Sequence, residues 1–94
     1  NFKSIPTWAF HGNADSTVSV NNSINMINAI NALNPTPRAK LTIFPGVWHN
    51  SWTMTYDGTG MGKESMDYDA FNESIFAWML QYQRDKSEIM ALLK

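Results

Sequence analysis

Two short apolar runs that enclose one helical pattern most constrain the fold of this 94-residue chain. Within the run at residues 5–10, the segment Trp8-Ala9-Phe10 lacks the polar alternation of a half-exposed strand, which predicts a strand buried on both faces of a sheet. A second run at residues 39–44 predicts another strand. Strand, helix and strand together have the length of one right-handed crossover unit with parallel strands. The sequence therefore predicts an α/β fold.

The helical pattern between the two runs covers residues 20–33. Ser19 is a suitable N-cap, and the segment Asn34-Pro35-Thr36-Pro37 ends the helix because the residue before a proline is pushed out of helical geometry. A stripe of apolar residues recurs at helical spacing, which predicts a core-facing side. The stripe consists of Val20, Ile24, Ile27, Ile30 and Leu33.

The second half of the chain predicts a loop, a helix and a tail. The loop covers residues 45–68 and contains a glycine-rich stretch at 58–62, which disfavours regular structure. A second amphipathic helix is predicted over residues 69–84. Its apolar side comprises Phe71, Ile75, Trp78, Met79 and Tyr82. The tail at residues 85–94 contains enough apolar residues for a short terminal helix if it packs against another element.

Composition narrows the functional classes. An apolar content of 44% and an aromatic content of 13% predict a packed globular protein. The seven basic and eight acidic residues are scattered, so we expect neither a nucleic acid nor a membrane surface as partner. The absence of cysteine excludes thiolate catalysis and cysteine zinc sites. None of these features identifies a cellular compartment.

Asp15 and His49 are the candidate catalytic residues, because each follows one of the two predicted strands closely. A carboxylate that accepts the Nδ1 proton of an imidazole fixes its tautomer and leaves Nε2 free to take a proton from a hydroxyl group. Such a pair suits two members of a catalytic triad. The residues alone leave another interpretation open, in which Asp15 caps a turn through Ser16 and Thr17 and His49 is an ordinary loop residue.

The stretch from Ile5 to Ser19, together with residues 44–49, resembles the C-terminal third of an α/β-hydrolase. The similarity points to the group of esterases, dienelactone hydrolases and prolyl oligopeptidase-like enzymes. In that family a strand ends in His-Gly, an aspartate three residues later is the triad acid, and a histidine after the final strand is the general base. Asp15 and His49 match those positions.

This resemblance implies a three-layer αβα fold, of which the chain would contain the last two parallel strands and their flanking helices. It also implies a serine hydrolase that cleaves carboxylic esters, or peptides, without a cofactor. The chain departs from the family pattern at Ser19, where many relatives have proline, and in its long glycine-rich insert.

The nucleophile is the greatest departure from the family pattern. Ser16, Ser51 and Ser65 do not lie in a glycine-flanked strand-to-helix turn, so none is a credible nucleophile. Family order places the serine before the acid and the histidine, and thus upstream of this sequence. We therefore expect a C-terminal part of a longer hydrolase that is inactive by itself. The rest of that domain, or another copy of the chain, would cover the edge of the first strand.

Three aromatic residues around His49 suggest a second interpretation. Trp48, Trp52 and Tyr56 could line a substrate pocket, or Trp52 and Tyr56 could continue a short helical turn onto the core. They also allow an alternative function, a non-catalytic hydrolase-like module that binds carbohydrate or protein through this surface.

His11 is a conceivable metal ligand together with Asp15 and His49, but nothing in the sequence suggests a closed set of ligands or a second shell around them. We expect no metal site and assign His11 a structural, hydrogen-bonded role at the end of the strand.

Overall fold

The computed structural model describes residues 2–3 and 5–82 of the chain. The described elements, in chain order, are β1 (Phe2–Lys3), β2 (Trp8–Gly12), α1 (Val20–Ala32), β3 (Pro35–Thr36), β4 (Lys40–Phe44), α2 (Trp52–Tyr56) and α3 (Ile75–Gln81). The strands predicted at 5–10 and 39–44 correspond to β2 and β4, and the helix predicted at 20–33 corresponds to α1. The predicted tail at residues 85–94 lies outside the described residues.

The parallel pairing of β2 with β4 forms the centre of the fold. Its register runs from Trp8 opposite Lys40 to Gly12 opposite Phe44, so both strands end at the same level. Helix α1 connects them, as the crossover pattern predicted. The structure is thus a small α/β arrangement with two parallel strands and flanking helices. A second, two-residue parallel pairing joins β1 to β3.

Helix α1 packs on an aliphatic face of the β2–β4 sheet. The side chain of Ser19 accepts a hydrogen bond from the Asn21 backbone N–H at 3.2 Å, which confirms the predicted cap. Leu33 belongs to the predicted stripe but is 63% exposed, because it follows the last helical residue as the C-cap. The buried cluster under α1 consists of Ile27, Ala39, Leu41 and Ile43.

The opposite face of the sheet is aromatic. Phe44 and Phe71 are almost completely buried there and pack with Ile75 of α3. Trp8 and Phe10 lie on the same face, with their ring centroids 4.7 Å apart. Alternation of side chains along β2 therefore separates an aliphatic layer from an aromatic one.

The second predicted helix begins six residues later than expected, at Ile75 rather than at residue 69. The hydroxyl of Ser74 caps it by accepting hydrogen bonds from the backbone N–H groups of Phe76 and Ala77. Residues 69–74 are not helical, because Asp69 is bound to β4 instead. Phe71 is buried as expected, but it lies before the helix. The predicted end at residue 84 lies outside the described residues.

The outer edge of β4 is closed by a segment of the loop that follows. Backbone N–H groups of Ser65 and Asp69 donate to the carbonyl groups of Ile43 and Leu41 at 2.7 and 2.8 Å. The Asp69 carboxylate in turn accepts the Leu41 backbone N–H at 2.8 Å. On the other side, β2 pairs with no described strand except β4. In the part of the chain that the structure describes, the sheet is therefore closed along β4 and unpaired along β2.

The loop predicted over residues 45–68 contains one short helix, α2, at Trp52–Tyr56. The glycine-rich stretch after it forms turns and bends, as predicted. Gly60 is buried, and a Cβ atom there would lie 2.8 Å from the ring of Phe44, so the absence of a side chain allows this stretch to reach the core. No described helix has the length and apolar character to cross a lipid bilayer.

The edge closure by Asp69 predicts a stability effect. Replacing Asp69 with alanine leaves the buried Leu41 N–H without its acceptor, and an unsatisfied buried donor costs about 1–3 kcal/mol. We expect a free energy of unfolding lower by about that amount in urea titrations. Asp67→Ala, at an exposed position two residues earlier, should change it by less than about 0.5 kcal/mol. Equal effects of the two substitutions would contradict the assigned role of Asp69.

Candidate active site

The loops that follow β2 and β4 are joined directly to each other. The backbone N–H groups of Asn13 and Ala14 donate to the carbonyl groups of Phe44 and Val47 at 3.1 and 3.0 Å. The Asn13 side chain accepts the Gly46 N–H at 2.8 Å. These bonds continue the strand pairing beyond the ends of the strands, and they hold the segment with Asp15 beside the segment with His49.

Gly12 allows the two loops to approach this closely. A Cβ atom at this position would lie 2.1 Å from the Val47 carbonyl oxygen and 2.4 Å from that of Trp48. Both atoms belong to the backbone and cannot move without shifting the loop that carries His49. Any residue larger than glycine at position 12 is therefore incompatible with this arrangement.

Asp15 is held as an ionised carboxylate. Its Oδ1 atom accepts the backbone N–H groups of Thr17 and Val18 at 2.8 and 2.9 Å. The hydrogen bond from Val18 is the main reason that the pKa of Asp15 falls from 3.8 to about 2; burial opposes this shift, and the contacts with His49 and Thr17 add to it. The side chain is only 3% exposed. Asp15 thus carries a negative charge at neutral pH.

His49 lies on the other oxygen of the same carboxylate. The distance from its Nδ1 atom to Asp15 Oδ2 is 3.0 Å. Because an ionised carboxylate only accepts hydrogen bonds, Nδ1 carries the proton, and Nε2 of the neutral ring has a free lone pair. The imidazole is 51% exposed, and it makes an edge contact with the Trp52 ring at a centroid distance of 5.6 Å.

The turn cap and the contact with His49 that the two interpretations assigned to Asp15 are both present. Oδ1 caps the turn that contains Thr17 and Val18, while Oδ2 binds the imidazole of His49. The contact that the sequence predicted between these two side chains is present. Within residues 5–82, no serine or threonine hydroxyl forms a hydrogen bond with His49, so this part of the chain offers no nucleophile next to the ring.

His11 is buried and hydrogen-bonded, as predicted for a structural residue at the end of β2. Its Nδ1 atom lies 2.7 Å from the Ser23 hydroxyl in α1, and its Nε2 atom lies 2.8 Å from the Val18 carbonyl oxygen. The same Nε2 is 3.2 Å from Asp15 Oδ2. The sequence suggested this proximity only for a metal site, because an i, i+4 spacing brings side chains together on a helix and His11 lies on a strand. In the described part of the chain, no group of three or more His, Asp or Glu side chains is arranged to hold a metal ion.

The predicted aromatic wall is present only in part. Trp52 and Tyr56 lie on α2 and line a groove with a volume of about 350 Å³, whereas Trp48 is 65% exposed and does not line it. The groove also includes Trp8, Phe10 and Trp78, which the sequence assigned to the core. None of its lining side chains is charged. Trp52 connects this groove to His49, because it lines the groove and its ring contacts the imidazole.

Comparisons of the chain with protein-family models, with curated proteins and with solved structures gave no match. The geometry of the site is therefore the basis for a functional assignment, since a fold by itself does not specify function. That geometry consists of a charged, hydrogen-bonded carboxylate, an oriented and accessible imidazole, and a neutral aromatic groove beside them.

The close approach at Gly12 predicts that Gly12→Ala displaces residues 47–49 and breaks the contact between Asp15 and His49. We expect a loss of about 1–3 kcal/mol in the free energy of unfolding, as for an overpacked site, together with loss of the hydrogen-bonded Nδ1 proton signal of His49 in NMR spectra. Gly62→Ala is the matched control, because it adds the same methyl group in open space. Because the φ of Gly62 is +85°, Gly62→Ala should lower the free energy of unfolding by about 1–2 kcal/mol, but the Nδ1 proton signal of His49 should persist. Persistence of that signal in Gly12→Ala would contradict the prediction.

Proposed function

We propose that this chain supplies the acid and the base of a Ser-His-Asp triad in a serine hydrolase that cleaves carboxylic esters, or peptides. The observation that carries the proposal is the 3.0 Å contact between His49 Nδ1 and Asp15 Oδ2 at the carboxyl ends of two paired parallel strands. Ligand and catalytic sites of open α/β sheets lie at those ends. The nucleophilic serine is contributed by a segment upstream of this sequence.

In the proposed reaction, His49 Nε2 accepts the proton of the serine hydroxyl while the serine oxygen attacks the acyl carbon of the substrate. Asp15 remains ionised and stabilises the imidazolium that forms, because its carboxylate already accepts the Nδ1 proton. The imidazolium then donates a proton to the leaving alcohol or amine, which produces an acyl-enzyme. Water, activated by the same imidazole, hydrolyses that intermediate.

The serine and the donors that stabilise the oxyanion come from elsewhere in the proposed enzyme. The half-exposed ring of His49 allows an external hydroxyl to approach Nε2. The open edge of β2 allows the sheet to continue, either into the rest of the hydrolase domain or into another copy of the chain. The 94-residue chain by itself is accordingly expected to be inactive.

The test of this proposal is labelling of the parent polypeptide with a fluorophosphonate probe, which reacts with activated serines. We expect labelling of the wild-type protein and a rate lower by roughly a hundredfold or more in His49→Ala, since a general base contributes at least that factor. Ser16→Ala is the control, because Ser16 is an exposed residue of the neighbouring turn. It should label as fast as the wild type.

Circular dichroism of His49→Ala should match the wild type, since the ring is half exposed and its loss opens no cavity in the core. Undiminished labelling of a folded His49→Ala would remove His49 from the mechanism. A parent that is not labelled at all would remove the hydrolase proposal itself.

A second candidate function is a non-catalytic module that binds carbohydrate, or a protein, through the groove that Trp52 and Tyr56 line; Trp48, the third aromatic residue of the predicted surface, lies outside it. The aromatic groove favours it, because flat rings in a groove lined by uncharged side chains suit the apolar faces of sugars. Here the aspartate and the histidine would only fix the loop that presents Trp52.

Tryptophan fluorescence during titration with oligosaccharides tests this second function. A binding module should show a saturable change that Trp52→Ala reduces strongly, because Trp52 lines the groove. Trp48→Ala should retain the response, since Trp48 is exposed outside the groove. The absence of any response in the wild-type protein would argue against the module.

A further inference from the structure

We propose that His11 is a positioning residue for the pair formed by Asp15 and His49, a role that rests on the proposed function. His11 is 8% exposed, at the carboxyl end of β2, and lies directly beneath the turn that contains Asp15. Its Nε2 atom is 2.8 Å from the Val18 carbonyl oxygen and 3.2 Å from Asp15 Oδ2. No step of the proposed reaction uses this imidazole, yet it contacts the catalytic carboxylate.

The partners of His11 determine its tautomer. A backbone carbonyl and an ionised carboxylate can only accept hydrogen bonds, so the Nε2 atom that faces both must carry the hydrogen. Nδ1 of the neutral ring then accepts the hydroxyl hydrogen of Ser23 at 2.7 Å. A buried imidazole needs partners for both nitrogens, and this arrangement satisfies both of them.

The contacts of His11 fix the turn around Asp15 from two sides. The Val18 N–H donates to Asp15 Oδ1, while the Val18 carbonyl accepts from His11 Nε2. Ser23 belongs to α1, so the same ring ties the turn to the helix that packs on the sheet. Val18 is thereby held at both its N–H and its carbonyl, which keeps Asp15 Oδ1 bonded to the turn and Oδ2 directed towards His49.

Two histidines therefore lie against the same carboxylate oxygen with opposite tautomers. His11 donates Nε2–H to the Val18 carbonyl while that nitrogen lies 3.2 Å from Asp15 Oδ2, and His49 donates Nδ1–H to Oδ2. The first tautomer supports the orientation of the carboxylate, and the second leaves His49 Nε2 available as the base. A purely structural histidine would have no influence on the tautomer of His49.

The experiment is ¹⁵N NMR of the histidine-labelled chain at about pH 8.5, where an unperturbed imidazole is neutral. The chain contains two histidines, so His49→Ala assigns the two sets of ring signals. We expect the Nε2–H form for His11 and the Nδ1–H form for His49 in the wild-type protein. A His11 ring with its hydrogen on Nδ1 has no donor for the Val18 carbonyl and would overturn the proposal without any further variant.

Two substitutions of His11 test its influence on His49. His11→Leu removes the donor, and we expect the Nδ1–H form of His49 to fall from the dominant species to a minority. His11→Gln retains a donor for the Val18 carbonyl near the position of Nε2, so it should restore the Nδ1–H form. An unchanged His49 tautomer in folded His11→Leu contradicts the proposal. So does loss of the Nδ1–H form in His11→Gln, which decides the question if the leucine variant does not fold.

This test is separate from that of the proposed function. The tautomers and their response to His11 substitutions are measured without a nucleophile or a substrate. An unlabelled parent protein together with the expected tautomers would reject the hydrolase and retain the coupling between the two rings. Labelling that depends on His49 together with an unaffected His49 tautomer would retain the hydrolase and reject the role of His11.

Discussion

The parallel register of β2 and β4 is the constraint on which the candidate site depends. Because Gly12 lies opposite Phe44, both strands end at one level, and the two following loops start side by side. Backbone hydrogen bonds from Asn13 and Ala14 then extend this pairing into the loops. A shift of one residue between the strands would move the side chains to opposite faces and separate the loops. The geometry of the two catalytic candidates is thus a consequence of strand register.

The site divides its tasks between the two oxygens of one carboxylate. Oδ1 stabilises the local turn by binding backbone N–H groups of Thr17 and Val18, and Oδ2 orients the imidazole of His49. The bonds to Oδ1 fix the position of the carboxylate, and the bond to Oδ2 places its negative charge beside the imidazole of His49. This division explains how a side chain that is almost fully buried remains ionised and still influences an exposed ring. It also relates the stability of the turn to the chemistry proposed for the pair.

Sequence reasoning succeeded where a pattern was local and strong, and it failed where the decisive contact was distant. The strand–helix–strand order and the proximity of Asp15 and His49 follow from apolar runs and from the rule that parallel strands end at one edge. The predicted start of the second helix was wrong, because the apolar spacing continues back to Phe71. In the structure, Asp69 instead binds the backbone of Leu41, 28 residues away, which keeps residues 69–74 out of the helix. The tiny strands β1 and β3 consist of two residues each and carry no periodic signal.

The unequal edges of the sheet have a consequence for self-association. Residues 65–69 occupy the far side of β4, so among the described residues the sheet is unpaired along β2 and not along β4. If two copies met at β2, each would use that edge, and the occupied side of β4 would accept no third strand. A sheet accessible on both sides could instead add chain after chain into a fibril. The carboxylate of Asp69 binds the Leu41 N–H, and it therefore also keeps that group of β4 from pairing with another strand.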